Sequence, residues 1–98
     1  MEAPDEVIHQ SIRLRVMAAL IALRPEDEGL EFTRLKDLTG ATDGNLGAHI
    51  EHLMRAGYVG VTKAFVARRP RTTVKASAAG RAAFARHVAF LKTIIAGG

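Results

Sequence analysis

The sequence predicts a mainly α-helical domain with one small β-hairpin in its second half, an α+β fold. Three observations carry that expectation. Apolar residues recur at helical spacing over 7–24 and again over 77–95. Between them lie two short helical patterns separated only by Gly40-Ala41-Thr42. From residue 58 the apolar period then drops from 3.6 to 2, and a polar stretch with a proline interrupts it. A chain of 98 residues has room for one domain spanning 1–98 and one core of modest size.

The elements follow in order. Ile8, Ile12, Val16, Ala19, Leu20 and Leu23 mark the first helix, which Pro25 and the acidic run Glu26-Asp27-Glu28 end. Leu30-Glu31-Phe32 is a short alternating piece. Thr33 is placed to cap a brief helix over 34–39 that turns Leu35 and Leu38 inward and stops at Gly40. Thr42 is placed to cap the next helix, 43–56, whose core face is Leu46, Ile50 and Leu53. Asp43 there meets the positive end of the helix dipole, and Gly57 sits where a left-handed C-cap belongs. Strands are expected over 58–65 and 72–76, joined by the polar connection 66–71. Ser77 would cap the last helix. Two helices joined by a tight turn and followed by a hairpin make a helix-turn-helix with a wing, in the order α-β-α-α-β-wing-β-α.

Composition removes several functions. The absence of cysteine excludes a disulfide framework, a thiolate metal site and a thiol nucleophile. Ser11 and Ser77 are the two serines, and neither lies on a nucleophile turn. The glycines form no phosphate-binding or dinucleotide fingerprint. The expectation is a non-enzymatic protein without a cofactor. No apolar run approaches the roughly 20 residues of a membrane span, and no signal-peptide pattern opens the chain, so a cytoplasmic place is expected.

Charge is distributed unevenly. Up to Glu51 the chain holds all ten acidic residues and five basic ones; beyond it stand nine basic residues and no acid. A half-chain of charge +9 attracts polyanions, which makes nucleic acid the leading partner. A winged-helix interaction module docking on an acidic protein is the alternative.

The helix 43–56 fits a major groove. Its outer arc holds Gly44, Ala48, Glu51 and Arg55, flanked by Asn45, Gly47 and His52. Each glycine within a helix costs about 1 kcal/mol against alanine, and close approach to another surface is a reason to keep two. Asn45 is the candidate base reader, because an amide bonds both the donor and the acceptor of adenine's edge. Thr42 and Asp43 complete the groove-facing start. In the wing, Arg68, Arg69 and Arg71 flank Pro70, and Lys63 and Lys75 add the same sign from the strands. These, with Arg34 and Lys36, are candidate backbone or minor-groove contacts.

At these residues the chain resembles a known family. Thr42-Asp43-Gly44-Asn45-Leu46-Gly47-Ala48-His49-Ile50 with Leu53 and Gly57-Tyr58-Val59 is similar to the recognition helix of MarR/ArsR-like winged-helix transcriptional regulators. Lys63-Ala64-Phe65, Arg68-Arg69-Pro70-Arg71-Thr72 and Ser77-Ala78-Ala79-Gly80-Arg81 resemble their wing and last-helix start, so the likeness runs over about 8–92. It implies a dimeric regulator that binds double-stranded DNA. Two positions depart from the pattern: Gly47 stands where relatives carry a phosphate-binding serine, and Ala67 replaces a glycine.

The histidines add little to this. His49 and His52 lack a carboxylate at ligand spacing, so no metal is expected; His9 and His87 could approach each other across a dimer. The terminal helices, 7–24 and 77–95, are too apolar for one small core. Ile8, Ile12, Phe84, Val88, Leu91, Ile94 and Ile95 are therefore the expected homodimer surface. A small-molecule effector between those helices is left open.

Overall fold

A computed structural model describes residues 11–97. The chain forms α1 (Ser11–Ile21), β1 (Leu30–Glu31), α2 (Phe32–Thr39), α3 (Asp43–Arg55), β2 (Val59–Val66), β3 (Arg69–Ala76) and α4 (Ala78–Ile95). The strands make one antiparallel sheet in the order β1-β3-β2. This is the α+β architecture with a wing that the periodicities imply. Ile8, His9 and the first residues expected in helix 7–24 lie outside the described residues. No helix among the described residues is long and apolar enough to cross a membrane.

One core holds the elements together. Val16, Met17 and Leu20 of α1, Leu35 of α2, and Leu46 and Leu53 of α3 are fully buried, with Val59 and Val74 closing the sheet side. Helix α1 ends at Ile21, short of residue 24. Arg24 precedes Pro25, which disfavours helical backbone there, and its N–H turns to the Asp27 carboxylate at 3.0 Å. Helix α2 starts at Phe32 rather than after Thr33, and its N-cap Glu31 makes no side-chain cap bond. Glu31 is still paired to Thr73 in the sheet, so strand passes directly into helix and leaves no room for a Thr33 cap.

The hairpin differs most from expectation. Instead of a six-residue connection over 66–71, only Ala67 and Arg68 separate the strands, with φ of 51° and 67°. Two left-handed residues in a row make a turn whose twist matches that of the ribbon. Val66 therefore pairs with Arg69, Phe65 with Pro70 and Ala64 with Arg71. Counting out from the two-residue turn, Phe65–Pro70 is a non-hydrogen-bonded pair, so the missing N–H of Pro70 falls on the open edge of β3. Left-handed backbone of this kind costs about 1–2 kcal/mol for each residue other than glycine.

Helix α4 turns its small residues inward. Its buried line is Gly80, Ala83 and His87, not the large apolar residues. A side chain at Gly80 would collide with the Tyr58 carbonyl oxygen, so small residues are what let α4 close on the sheet. Ser77 seals that junction: its N–H reaches Tyr58 O at 2.9 Å and its Oγ donates to Gly57 O at 2.6 Å and accepts from Gly80 N at 3.0 Å. His87 is 1% exposed, and His9, which was expected to approach it across a dimer, lies outside the described residues. Phe84 packs on the flank of the core, whereas Ile94 and Ile95 are exposed.

Candidate nucleic-acid interface

The turn from α2 to α3 is held by short polar contacts. Gly40 takes φ of 72° and donates its N–H to Lys36 O at 2.9 Å, closing α2. Buried Thr39 donates its hydroxyl to Leu35 O at 2.7 Å and accepts from Ala41 N at 3.4 Å. Thr42 then caps α3, accepting from Asn45 N at 3.2 Å. Lys36 Nζ lies 2.8 Å from Asp43 Oδ1 and ties the two helices across the turn. That carboxylate, as a hydrogen-bond acceptor and as a charge, raises the Lys36 pKa above its ordinary value.

Leu46, Ile50 and Leu53 fix α3 on the core and turn the opposite arc outward. Gly44, Asn45, Ala48, Glu51, His52 and Arg55 are exposed there, and Gly47 is half-buried at the edge. A Cβ added at Gly44 or Gly47 would meet no atom within 4 Å. Nothing in the domain itself requires glycine at either place. On the flank toward α1, Arg13 Nη1 lies 3.1 Å from His49 Nδ1. Burial first, then the charges of Arg13 and His52, push the His49 pKa below the usual histidine value. The imidazole is therefore neutral near pH 7, and Nδ1 is the acceptor for the guanidinium.

The pleat sorts the hairpin's side chains onto two faces. Val59, Val61, Lys63 and Phe65 share the face toward the helices with Ala76, Val74, Thr72 and Pro70. An open groove of about 450 Å³ separates this face from α3, lined by Gly47, Ile50, Glu51 and Met54 on one side and Val61, Lys63 and Thr72 on the other. The opposite face carries Arg69, Arg71, Thr73 and Lys75. Arg71 Nε sits 3.4 Å from Glu31 Oε1.

A slender, exposed helix arc beside a cationic two-stranded ribbon is the geometry of a protein that holds a duplex. The winged helix DNA-binding domain family matches residues 12–95. The chain belongs to that family. An uncharacterized protein of Methanocaldococcus jannaschii is 31% identical over 83 residues, spanning 85% of this chain and 86% of the relative. A solved structure, described as a transcriptional regulator homologue protein from Pyrococcus horikoshii OT3, superposes with a TM-score of 0.82 at 30% identity. It covers 95% of this chain and 88% of its own.

Within this winged helix the expected site residues separate into groups. Thr42, Asp43, Gly44, Asn45, Gly47, Ala48 and His52 come together at the start and outer side of α3. Lys63 stands on the ribbon face toward α3, Arg68 at the turn, and Arg34 exposed on α2. Arg71 and Lys75 do not join them, since strand alternation sets them with Arg69 on the far face. Other cations serve the fold. Arg15 donates to Thr39 O at 3.3 Å, and Arg81 of the positive half-chain donates to Leu23 O at 3.0 Å. The late cations thus wrap the ribbon and stud the fold rather than forming one continuous face.

Sequence reasoning passed over Arg13 and Phe65. Arg13 is 9% exposed and precedes Val16, Met17 and Leu20 at three-, four- and seven-residue spacing, a signal that placed it on the inward stripe. Phe65 is 79% exposed, an aromatic continuing the core-facing alternation past the point where the core ends.

Proposed function

We propose that the domain is a sequence-specific regulator of transcription that binds double-stranded DNA as a homodimer. Helix α3 lies in the major groove with Asn45 toward the base edges, and Gly44, Gly47 and Ala48 allow the close approach. The wing holds the neighbouring backbone and minor groove through Lys63 and Arg68, with Arg34 and Lys36 on flanking phosphates. Arg69, Arg71 and Lys75, on the far face, reach only a backbone that passes outside the ribbon. The observation that carries this reading is the open space around Gly44 and Gly47, a cost in helix stability that nothing inside the domain explains.

The dimer rests on α1 and α4. Ile94 and Ile95 are 56% and 84% exposed, and Ile12, Val88 and Leu91 are half-buried on the same two helices. Ile8 is assigned to the same surface from sequence, and Phe84 joins it only by its outer edge. Two-fold symmetry sets two copies of α3 about 34 Å apart, one turn of duplex, so the preferred site is an inverted repeat. Occupying a promoter in the cytoplasm gives repression as the expected outcome. Fluorescence anisotropy with duplexes selected from random DNA, at two salt concentrations, tests this. Submicromolar, steeply salt-dependent binding to an inverted repeat is expected. Binding to acidic proteins but to no duplex would refute it, and a sedimenting species of only 10.6 kDa would refute the dimer.

A further inference from the structure

Phe65 is the least explained side chain in the domain. It is 79% exposed, directly across the ladder from Pro70, and one pair beyond Lys63 and Thr72 on the same ribbon face. The core does not reach it: the innermost residues of this face, Val59 and Val74, are buried, and burial ends well before the turn. A phenylalanine so exposed gives up most of the benefit of burial, yet the segment around it is held rigidly. The Ala67–Arg68 turn keeps two residues with side chains in left-handed backbone, the kind of strain that marks functional tips. The hairpin that carries this ring has Lys63, Arg68, Arg69 and Arg71 but no acidic side chain, and Glu31 beside Pro70 is paired with Arg71, so the ring suits a partner that is anionic outside and apolar within.

We propose that Phe65, backed by Pro70, is a wedge that enters the minor groove and opens one base step. This rests on the DNA-binding reading above and adds to it a distortion of the duplex. The order of groups on one face supports it. Moving outward from α3 come the groove walls Gly47 and Glu51, then Lys63, then Phe65 with Pro70, then Arg68 at the turn. A duplex whose major groove takes α3 presents, in that direction, a phosphate wall and then the adjacent minor groove. Lys63 meets the wall, and Phe65 stands about 7 Å further along the strand, over the groove. Apolar wedges placed this way partly unstack a step and bend the duplex, and they favour flexible pyrimidine–purine steps. Arg68 at the turn then neutralises phosphates drawn closer by the bend.

The test uses the full chain and a selected duplex of about 25 base pairs, carrying 2-aminopurine at successive steps beside the half-site. Wild type should raise the fluorescence at one step, and end-to-end energy transfer should report a bend. Phe65→Ala should abolish both signals and weaken binding about tenfold, with the salt slope unchanged. Phe65→Leu, still an apolar wedge, should restore most of both. Wild type that binds the duplex with no fluorescence change overturns the wedge alone. Wild type that binds no duplex overturns the regulator reading and the wedge with it. Intact DNA signals in Phe65→Ala, with a change in sedimentation, would make the ring a contact between protein copies and overturn the proposal.

Discussion

Helix α3 and the wing border one groove but are built on opposite terms. The N-terminal part of the outer arc of α3 is small and nearly uncharged: Asp43 is matched by Lys36, and His49 on the flank is kept neutral by burial and by Arg13. Three leucine or isoleucine side chains in the core hold it, and its glycines lower its own stability. The wing touches the core only at its base, is held by its own ladder, and carries Lys63 and Arg68 beside an exposed aromatic with Arg69 on the far face. Sequence discrimination needs close contact with base edges, and affinity needs charge near phosphates. Dividing the two tasks lets each element be tuned without loss in the other.

That division can be broken experimentally, beginning with the wing. Arg68→Ala with Arg69→Ala should weaken binding by about 3 kcal/mol on every duplex and make the salt slope shallower by about 1.8. A loss confined to the preferred site would reverse the assignment of tasks. Asn45→Ala should cost about 1–3 kcal/mol on the selected duplex and almost nothing on random DNA, as measured by competition anisotropy. Equal losses on both would remove base reading from α3.

Gly47→Ala sharpens the contrast, because its two effects have opposite signs. Added to open space in a helix, the methyl should raise unfolding stability by about 1 kcal/mol in a denaturant titration, while DNA binding falls. Stabilisation with unchanged binding would mean that the arc does not enter a groove. The smallest effect concerns pH. A histidine whose folded pKa is depressed gives stability that is complete above its unfolded value near 6.5 and is lost as pH falls through the folded value. Thermal unfolding from pH 7.5 to 5 should therefore show a loss in wild type that His49→Gln reduces.

Much of this was legible before folding. The two caps Thr42 and Ser77, the left-handed Gly57 and the three-residue core face of α3 depend on contacts within a few residues, and all four are found. The hairpin was legible in kind but not in length. Arg69-Pro70-Arg71 reads as loop by composition, and only pairing with Ala64, Phe65 and Val66 makes it strand. The inward stripe of α4 was not legible for a related reason. Apolar size marked Phe84, Val88 and Leu91 only as an expected dimer surface, and the approach of the helix to Tyr58 selected Gly80 and Ala83 to face the core.

Local rules in the chain alone settled which segments are helical, where two of them start, and that positive charge gathers late. Which arginines remain available to a partner was decided by the assembled domain. Arg13, Arg15 and Arg81 find carbonyls or an imidazole distant in sequence, whereas Arg68 stays at the tip of a tight turn. Composition counts charges, but only three-dimensional packing assigns each one a neighbour, because a guanidinium's partner depends on elements that the chain brings together from 24 to 58 positions away.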